Sequence, residues 1–134
     1  MQIMSSFSPS DNYVEDTSAL TRMVMRLFQH WKLSSQEQSL LLSLSAKTRS
    51  SIARYRNGAS TLSPDRDTHD RVKYLLSIHK SLRTIFPYNR ELVYEWPKAP
   101  NKYFDGKTPV QVMVEEGFLG VVRVDNYLKN YLAK

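Results

Sequence analysis

Four cations, Lys47, Arg49, Arg54 and Arg56, fall within residues 46–58, and no Asp or Glu lies among them. Guanidinium and ammonium groups donate hydrogen bonds and accept none, so a cluster with no local acid is chemistry suited to phosphate oxygens. At about 100° per residue, Lys47, Ser50, Ser51 and Arg54 share one side of a helix while Thr48, Ile52 and Tyr55 take the other. Arg49 and Arg56 flank the apolar side, from which their long side chains still reach a backbone phosphate. A helix built this way packs through Ile52 and Tyr55 and offers cations and hydroxyls to a groove, which makes these six polar residues candidates for DNA contact. The competing explanation is a solvated basic face, which long cationic side chains form at little cost.

Other chemistry is sparse. His30, His69 and His79 are far apart and form no ligand-spaced pair, and His79, on an apolar stripe, is expected to be a core histidine. Cysteine is absent, which excludes disulfide frameworks and Cys-based zinc sites and fits a reducing, cytoplasmic setting. The four glycines, Gly58, Gly106, Gly117 and Gly120, sit at turns and helix ends and build no phosphate loop. No catalysis, cofactor or metal is therefore expected of this chain. The net charge of +6 and a pI near 9.6 favour an acidic partner. Arg22, Arg26, Arg71, Lys73 and Arg83 interrupt every apolar run, so no membrane span is expected.

The elements that must hold these residues all read as helices. Residues 1–17 mix Ser, Pro, Asp and Asn without a period and are expected to form a mobile arm. From Ser18, Leu20, Met23, Val24, Leu27, Phe28 and Trp31 recur at helical spacing as one apolar face. Ser34-Ser35-Gln36-Glu37 is a capping box that opens a second helix, with Leu40, Leu41 and Leu44 on its buried side. Ser45 caps a third helix that runs to about Arg56 and stops at Asn57-Gly58. Two short helices so tightly joined predict a helix-turn-helix unit over residues 18–63, with the second as the recognition helix. Residues 64–134 form the remainder. A long helix from Asp65 to about Phe86 carries two adjoining apolar stripes, as expected of a spine packed between neighbours, and Pro87 ends it. A short helix from Tyr88 follows, which Pro97 must end at or before Trp96.

From Trp96 to Leu128 the chain is densest in specific residues. Pro100-Asn101 and Asp105-Gly106 are turns, with Phe104 between them as an anchor into the core. Thr108-Pro109 supplies a hydroxyl cap and a proline at the first helical position, Val110, Met113 and Val114 form an apolar side, and Gly117 ends the helix. The last helix carries Val121, Val124, Leu128 and Tyr131 as its stripe. Arg123, Asn126, Tyr127, Asn130 and Lys134 lie away from the deepest part of it, mixing the aromatic, amide and cationic groups that anchor interfaces.

The order Trp96, Pro100-Asn101, Phe104-Asp105-Gly106, Thr108-Pro109, Gly117, Gly120-Val121, Val124, Tyr127-Leu128 resembles the toxin-binding domain of the Xre/MbcA/ParS antitoxin family. The resemblance extends from about Leu20 to the C-terminus, because the helix-turn-helix half also looks like that family. It departs in two places, with Ser43 where the family often has a turn glycine and Trp96-Pro97 where it usually has Trp-Leu. The resemblance implies an antitoxin that binds a RES-domain toxin and represses their shared operon. It also implies that the C-terminal region enters or covers the toxin's NAD-binding cleft, so that the NAD belongs to the toxin. Carried onto this chain, the contact positions are Gly120, Val121, Tyr127 and Leu128, joined by Arg123 and Lys134 from the surface reading. The expected fold is all-α with about seven helices, and a homodimer would match paired half-sites on operator DNA. Two alternatives remain open: a stand-alone helix-turn-helix regulator whose C-terminal helices dimerise, and an adaptor that touches no DNA.

Overall fold

A computed structural model describes residues 9–44, 52–63 and 65–134. Among them are seven α-helices and no strand: α1 (Pro9–His30), α2 (Ser35–Leu41), α3 (Ile52–Arg56), α4 (Arg66–Ile85), α5 (Arg90–Glu95), α6 (Pro109–Glu116) and α7 (Phe118–Ala133). Two 3₁₀ turns, Trp96–Lys98 and Lys102–Phe104, link α5 to α6. The fold is all-α, as the periodicity predicts.

The first helix starts at Pro9, so residues 9–17, expected in the arm, run continuously into it. Composition alone hides this because two threonines carry part of the buried stripe. Thr17 and Thr21 are both buried, and Thr21 Oγ1 donates to the Thr17 carbonyl at 2.7 Å while accepting from the Leu62 amide at 3.0 Å. Thr17 Oγ1 lies 2.9 Å from His69 Nε2 on α4. This buried polar chain ties α1 to the segment before α4 and to α4 itself, and each hydroxyl in it offsets its own desolvation with a partner. It also turns the face: Met25 is buried, whereas Met23, expected on the stripe, is 53% exposed. On α2 the same thing happens at smaller scale, with Leu40 exposed and Leu41 and the following Leu42 buried.

Three consecutive helices end in one hydrogen-bond pattern. After α1, the Lys32 amide donates to the Gln29 carbonyl and the Leu33 amide to Phe28; after α2, Ser43 donates to Leu40 and Leu44 to Ser39; after α3, Gly58 donates to Tyr55 and Ala59 to Arg54. The residue that must turn left-handed has φ of 57° at Lys32, 60° at Ser43 and 85° at Gly58. These are Schellman ends, and only the last uses the residue that adopts this conformation without a Cβ penalty. The Ser34 capping box is present, with Ser34 Oγ accepting from the Glu37 amide and Glu37 Oε1 accepting from the Ser34 amide.

Asp65 caps α4, its Oδ1 accepting from the Thr68 amide at 2.8 Å and its Oδ2 from the Ser63 hydroxyl at 2.8 Å. Those hydrogen bonds, the Thr68 amide first, hold the Asp65 carboxyl below its usual pKa. From there α4 runs as the spine, burying Val72, Leu75, Ile78 and Leu82 and packing on α1, α5 and most extensively α7. Fully buried Asp125 of α7 accepts from Ser77 of α4 at 2.7 Å through Oδ1, while its Oδ2 forms an ion pair at 2.8 Å with Lys129, whose side chain reaches solvent. A second link between the halves is Lys98, which donates to the Lys32 carbonyl at 3.0 Å and pairs with Glu37 at 3.3 Å.

Candidate functional site

The outward face of α7 is set by what precedes it. Pro97 ends α5 at Glu95 and turns the chain into a 3₁₀ segment, as the proline dictates. Asn101 then caps the next 3₁₀ turn by accepting from the Tyr103 amide, and Asp105 and Gly106 close it with φ of 58° and 85°. This double turn drives Phe104 fully into the core and leaves Tyr103 outside. Thr108 opens α6 with a capping box completed by Gln111. Gly117 separates α6 from α7 at φ 68°, ψ −141°, a backbone region open essentially to glycine alone and not the left-handed helical one expected of a cap.

The result is a cluster of four rings beneath an arginine. Tyr127 of α7 stacks nearly parallel to Trp96 with centroids 6.2 Å apart, and lies 4.6 Å from Tyr103 and 5.5 Å from Phe104. Arg123, one turn earlier, sits with its Cζ 5.3 Å over the Phe104 ring and donates from Nη1 to Glu116 Oε2 at 2.6 Å. A guanidinium held between a ring face and a carboxylate has less freedom left to lose on binding. Tyr103, 59% exposed, extends the cluster to the surface. It carries no periodic signal of its own, and only the Asn101 turn tells which of the pair Tyr103-Phe104 faces out.

The expected contact residues divide into two groups. Arg123 and Lys134 are exposed and Tyr127 is half-buried, on the same side of α7 as exposed Asn126 and Asn130. Gly120, Val121 and Leu128 are buried in the face that packs on α4 and α6, so in this chain they support the surface and do not form it. Tyr131, expected on the buried stripe, is exposed, and Trp96 is half-buried. On the surface, Lys107 and Glu115 pair at 2.7 Å, and that contact raises the Lys107 pKa.

Of the six candidate DNA contacts, Lys47, Arg49, Ser50 and Ser51 lie outside the described residues, as do Ser45 and Thr48. Arg54 and Arg56 are exposed on α3, with Arg54 Nε donating to Ser60 Oγ at 3.0 Å. Ile52 is buried and Tyr55 packs half-buried on the core, the division of faces that the spacing predicts. Among the described residues no group of His, Asp or Glu could hold a metal ion, and no helix is long and apolar enough to cross a membrane.

Comparison with known proteins places this geometry in context. The family model for the antitoxin Xre/MbcA/ParS C-terminal toxin-binding domain matches residues 81–132, from inside α4 almost to the end of α7. That span contains Trp96, Tyr103, Phe104, Arg123 and Tyr127. The chain is also similar to the uncharacterized protein y4oB of Sinorhizobium fredii, with 32% identity over 103 residues, 77% of this chain and 76% of that protein.

Proposed function

We propose that this chain, whose residues 81–132 carry the toxin-binding domain of the Xre/MbcA/ParS antitoxin family, neutralises a RES-domain, NAD-consuming toxin by seating the α7 face on it. The observation that carries this reading is the coincidence of the toxin-binding domain, residues 81–132, with the cluster in which Arg123 and Tyr127 are held in place before any partner arrives. Pre-ordered aromatic and arginine groups lose little entropy on binding, which is why they dominate interface energies. A basic surface also suits a cleft that receives an anionic dinucleotide, since it satisfies the charges that the ligand leaves uncovered. The chain itself acts in the cytoplasm by occupying its partner, with no reaction of its own.

The test is co-expression with the product of the adjacent gene. The expected outcome is a stable complex in which NAD consumption is suppressed and returns when the partners are separated. Arg123→Glu combined with Tyr103→Ala, both exposed positions, should weaken inhibition by about tenfold or more while the chain stays folded. A folded wild-type chain that leaves its neighbour's NAD consumption untouched would overturn the reading.

Repression of the shared operon is the second half of the proposal, with α2, its turn and α3 as the DNA-binding unit and a homodimer matching two half-sites. Exposed Arg54 and Arg56 support it. Lys47→Ala with Arg54→Ala should lower operator affinity and flatten its salt dependence by about one unit of slope for each phosphate left without its cation. Operator binding by a chain that leaves the toxin active would instead indicate a stand-alone regulator.

A further inference from the structure

Between the C-terminal half of α4 and α5 lies a cleft of about 710 Å³, within the usual range for small-molecule sites. Lys80, Arg83 and Arg90 line it together with Thr84, His79 and Tyr94, and none of its lining residues is a carboxylate. No ion pair among the described residues engages Lys80, Arg83 or Arg90, and what sets these three apart from other unpaired cations is that they line one concavity. Three unneutralised cations around one concavity repel one another, and a bound anion removes that cost. Helix dipoles do not account for all three. Arg83 stands in the last turn of α4, where a cation is favoured, but Arg90 is the first residue of α5, where it is disfavoured.

One wall of the cleft is preformed. The Tyr94 ring lies nearly parallel to both His30, 4.2 Å away, and His79, 5.6 Å away. Tyr94 already has two ring partners, and the remaining polar groups of the lining are the cations and the Thr84 hydroxyl.

We propose that this cleft binds a compact phosphate-rich anion, with Arg83, Arg90 and Lys80 gripping a diphosphate or triphosphate group. Guanidinium forks take two phosphate oxygens at once and a lysine adds a point charge, so three such groups on two facing helices match a group of several negative charges better than a single orthophosphate. A duplex presents a convex row of phosphates and fits a concave cleft less well. Burial, then Arg83 and His30, hold the His79 pKa below its ordinary value, so an anion in the cleft should move it upward. Arg83 and Arg90 lie within residues 81–132, but neither Arg123 nor Tyr127 lines the cleft, so polyphosphate binding can be tested without the toxin.

The experiment is a titration of the full chain with inorganic tripolyphosphate, pyrophosphate and orthophosphate, followed by calorimetry and by the NMR signals of Thr84, Arg90 and the His79 ring. Saturable binding is expected, strongest for tripolyphosphate and weakest for orthophosphate, with the His79 titration moved to higher pH. Arg83→Gln with Arg90→Gln, both exposed, should weaken it by about tenfold or more, the worth of one charge-assisted hydrogen bond, without lowering the melting temperature. Arg66→Gln, an exposed cation at the opposite end of α4, should leave it unchanged. Equal losses in both variants would mean unspecific charge attraction, and absence of saturable shifts at the cleft would overturn the proposal. So would loss of operator binding in the Arg83 and Arg90 variant with no polyphosphate binding in the wild type, which would assign the cations to DNA.

Discussion

A Cβ at Gly120 would overlap the Val112 carbonyl oxygen and stand 2.9 Å from Glu116 Cβ, because α6 and α7 approach there backbone to backbone. Gly120→Ala must push the two helices apart, at a cost of about 1–3 kcal/mol in unfolding free energy, readable in urea titration. If Gly120 instead acted as a contact, the same change would weaken toxin binding at full stability, so measuring both quantities separates the two roles. Asp65 offers a different single-residue test. Its pKa in the folded chain lies below the unfolded value of 3.8, so its contribution is present above that value and is lost as pH falls through the folded pKa. Asparagine caps a helix about as well as aspartate but does not titrate. Asp65→Asn should therefore match the wild type near neutral pH and lack its extra loss of stability below about pH 4. Asp65→Ala should cost about 1 kcal/mol at neutral pH. Parallel acid denaturation curves for wild type and Asp65→Asn would show that the cap's charge contributes nothing.

Among the elements, the end of α2 carries a cost that its sequence announces. Ser43 occupies the left-handed position of a Schellman end at φ 60°, where a Cβ is disfavoured by about 1–2 kcal/mol and glycine is not. Glycine gives back part of the gain as unfolded-chain entropy, so Ser43→Gly should raise stability by a few tenths to about 1 kcal/mol. A drop in melting temperature would mean that the Ser43 side chain has a role of its own. Elements of this kind were legible because the signals are local: the Ser34 and Thr108 caps, the Asp65 start, the Pro97 break and the Gly117 stop all depend on a few adjacent residues. What escaped depends on contacts distant in the chain. The start of α1 at Pro9 goes with Thr17 meeting His69, and the burial of Asp125 rests on Ser77. The candidate site was half legible for the same reason. Periodicity marks which side of α7 is apolar, but only the arrival of α4 and α6 shows that Gly120, Val121 and Leu128 are consumed by packing while Arg123 and Tyr127 remain available.

At the scale of the whole molecule, the two ends of the chain share one spine. α4 packs on α1 and on α7, α2 touches α6, and Lys98 bonds to the turn after α1. Neither end keeps its apolar face covered if α4 unfolds, so the molecule should lose structure in one cooperative step. The chain supplies its own reporters, since its two tryptophans stand one at each end: Trp31 fully buried just after α1, and Trp96 half-buried against Tyr127. Trp31→Phe leaves only the C-terminal reporter, and Trp96→Phe only the N-terminal one. Fluorescence-monitored urea unfolding of each variant should coincide with its own circular dichroism transition, and Ser43→Gly should move the distant Trp96 signal together with the helical signal. A Trp96 transition that stays in place while Ser43→Gly shifts the rest would mean that the N-terminal and C-terminal halves fold independently. In that case a partner seated on α7 could not stabilise α1, α2 and α3 through the spine; with one cooperative unit it must, because whatever binds only the folded form stabilises all of it.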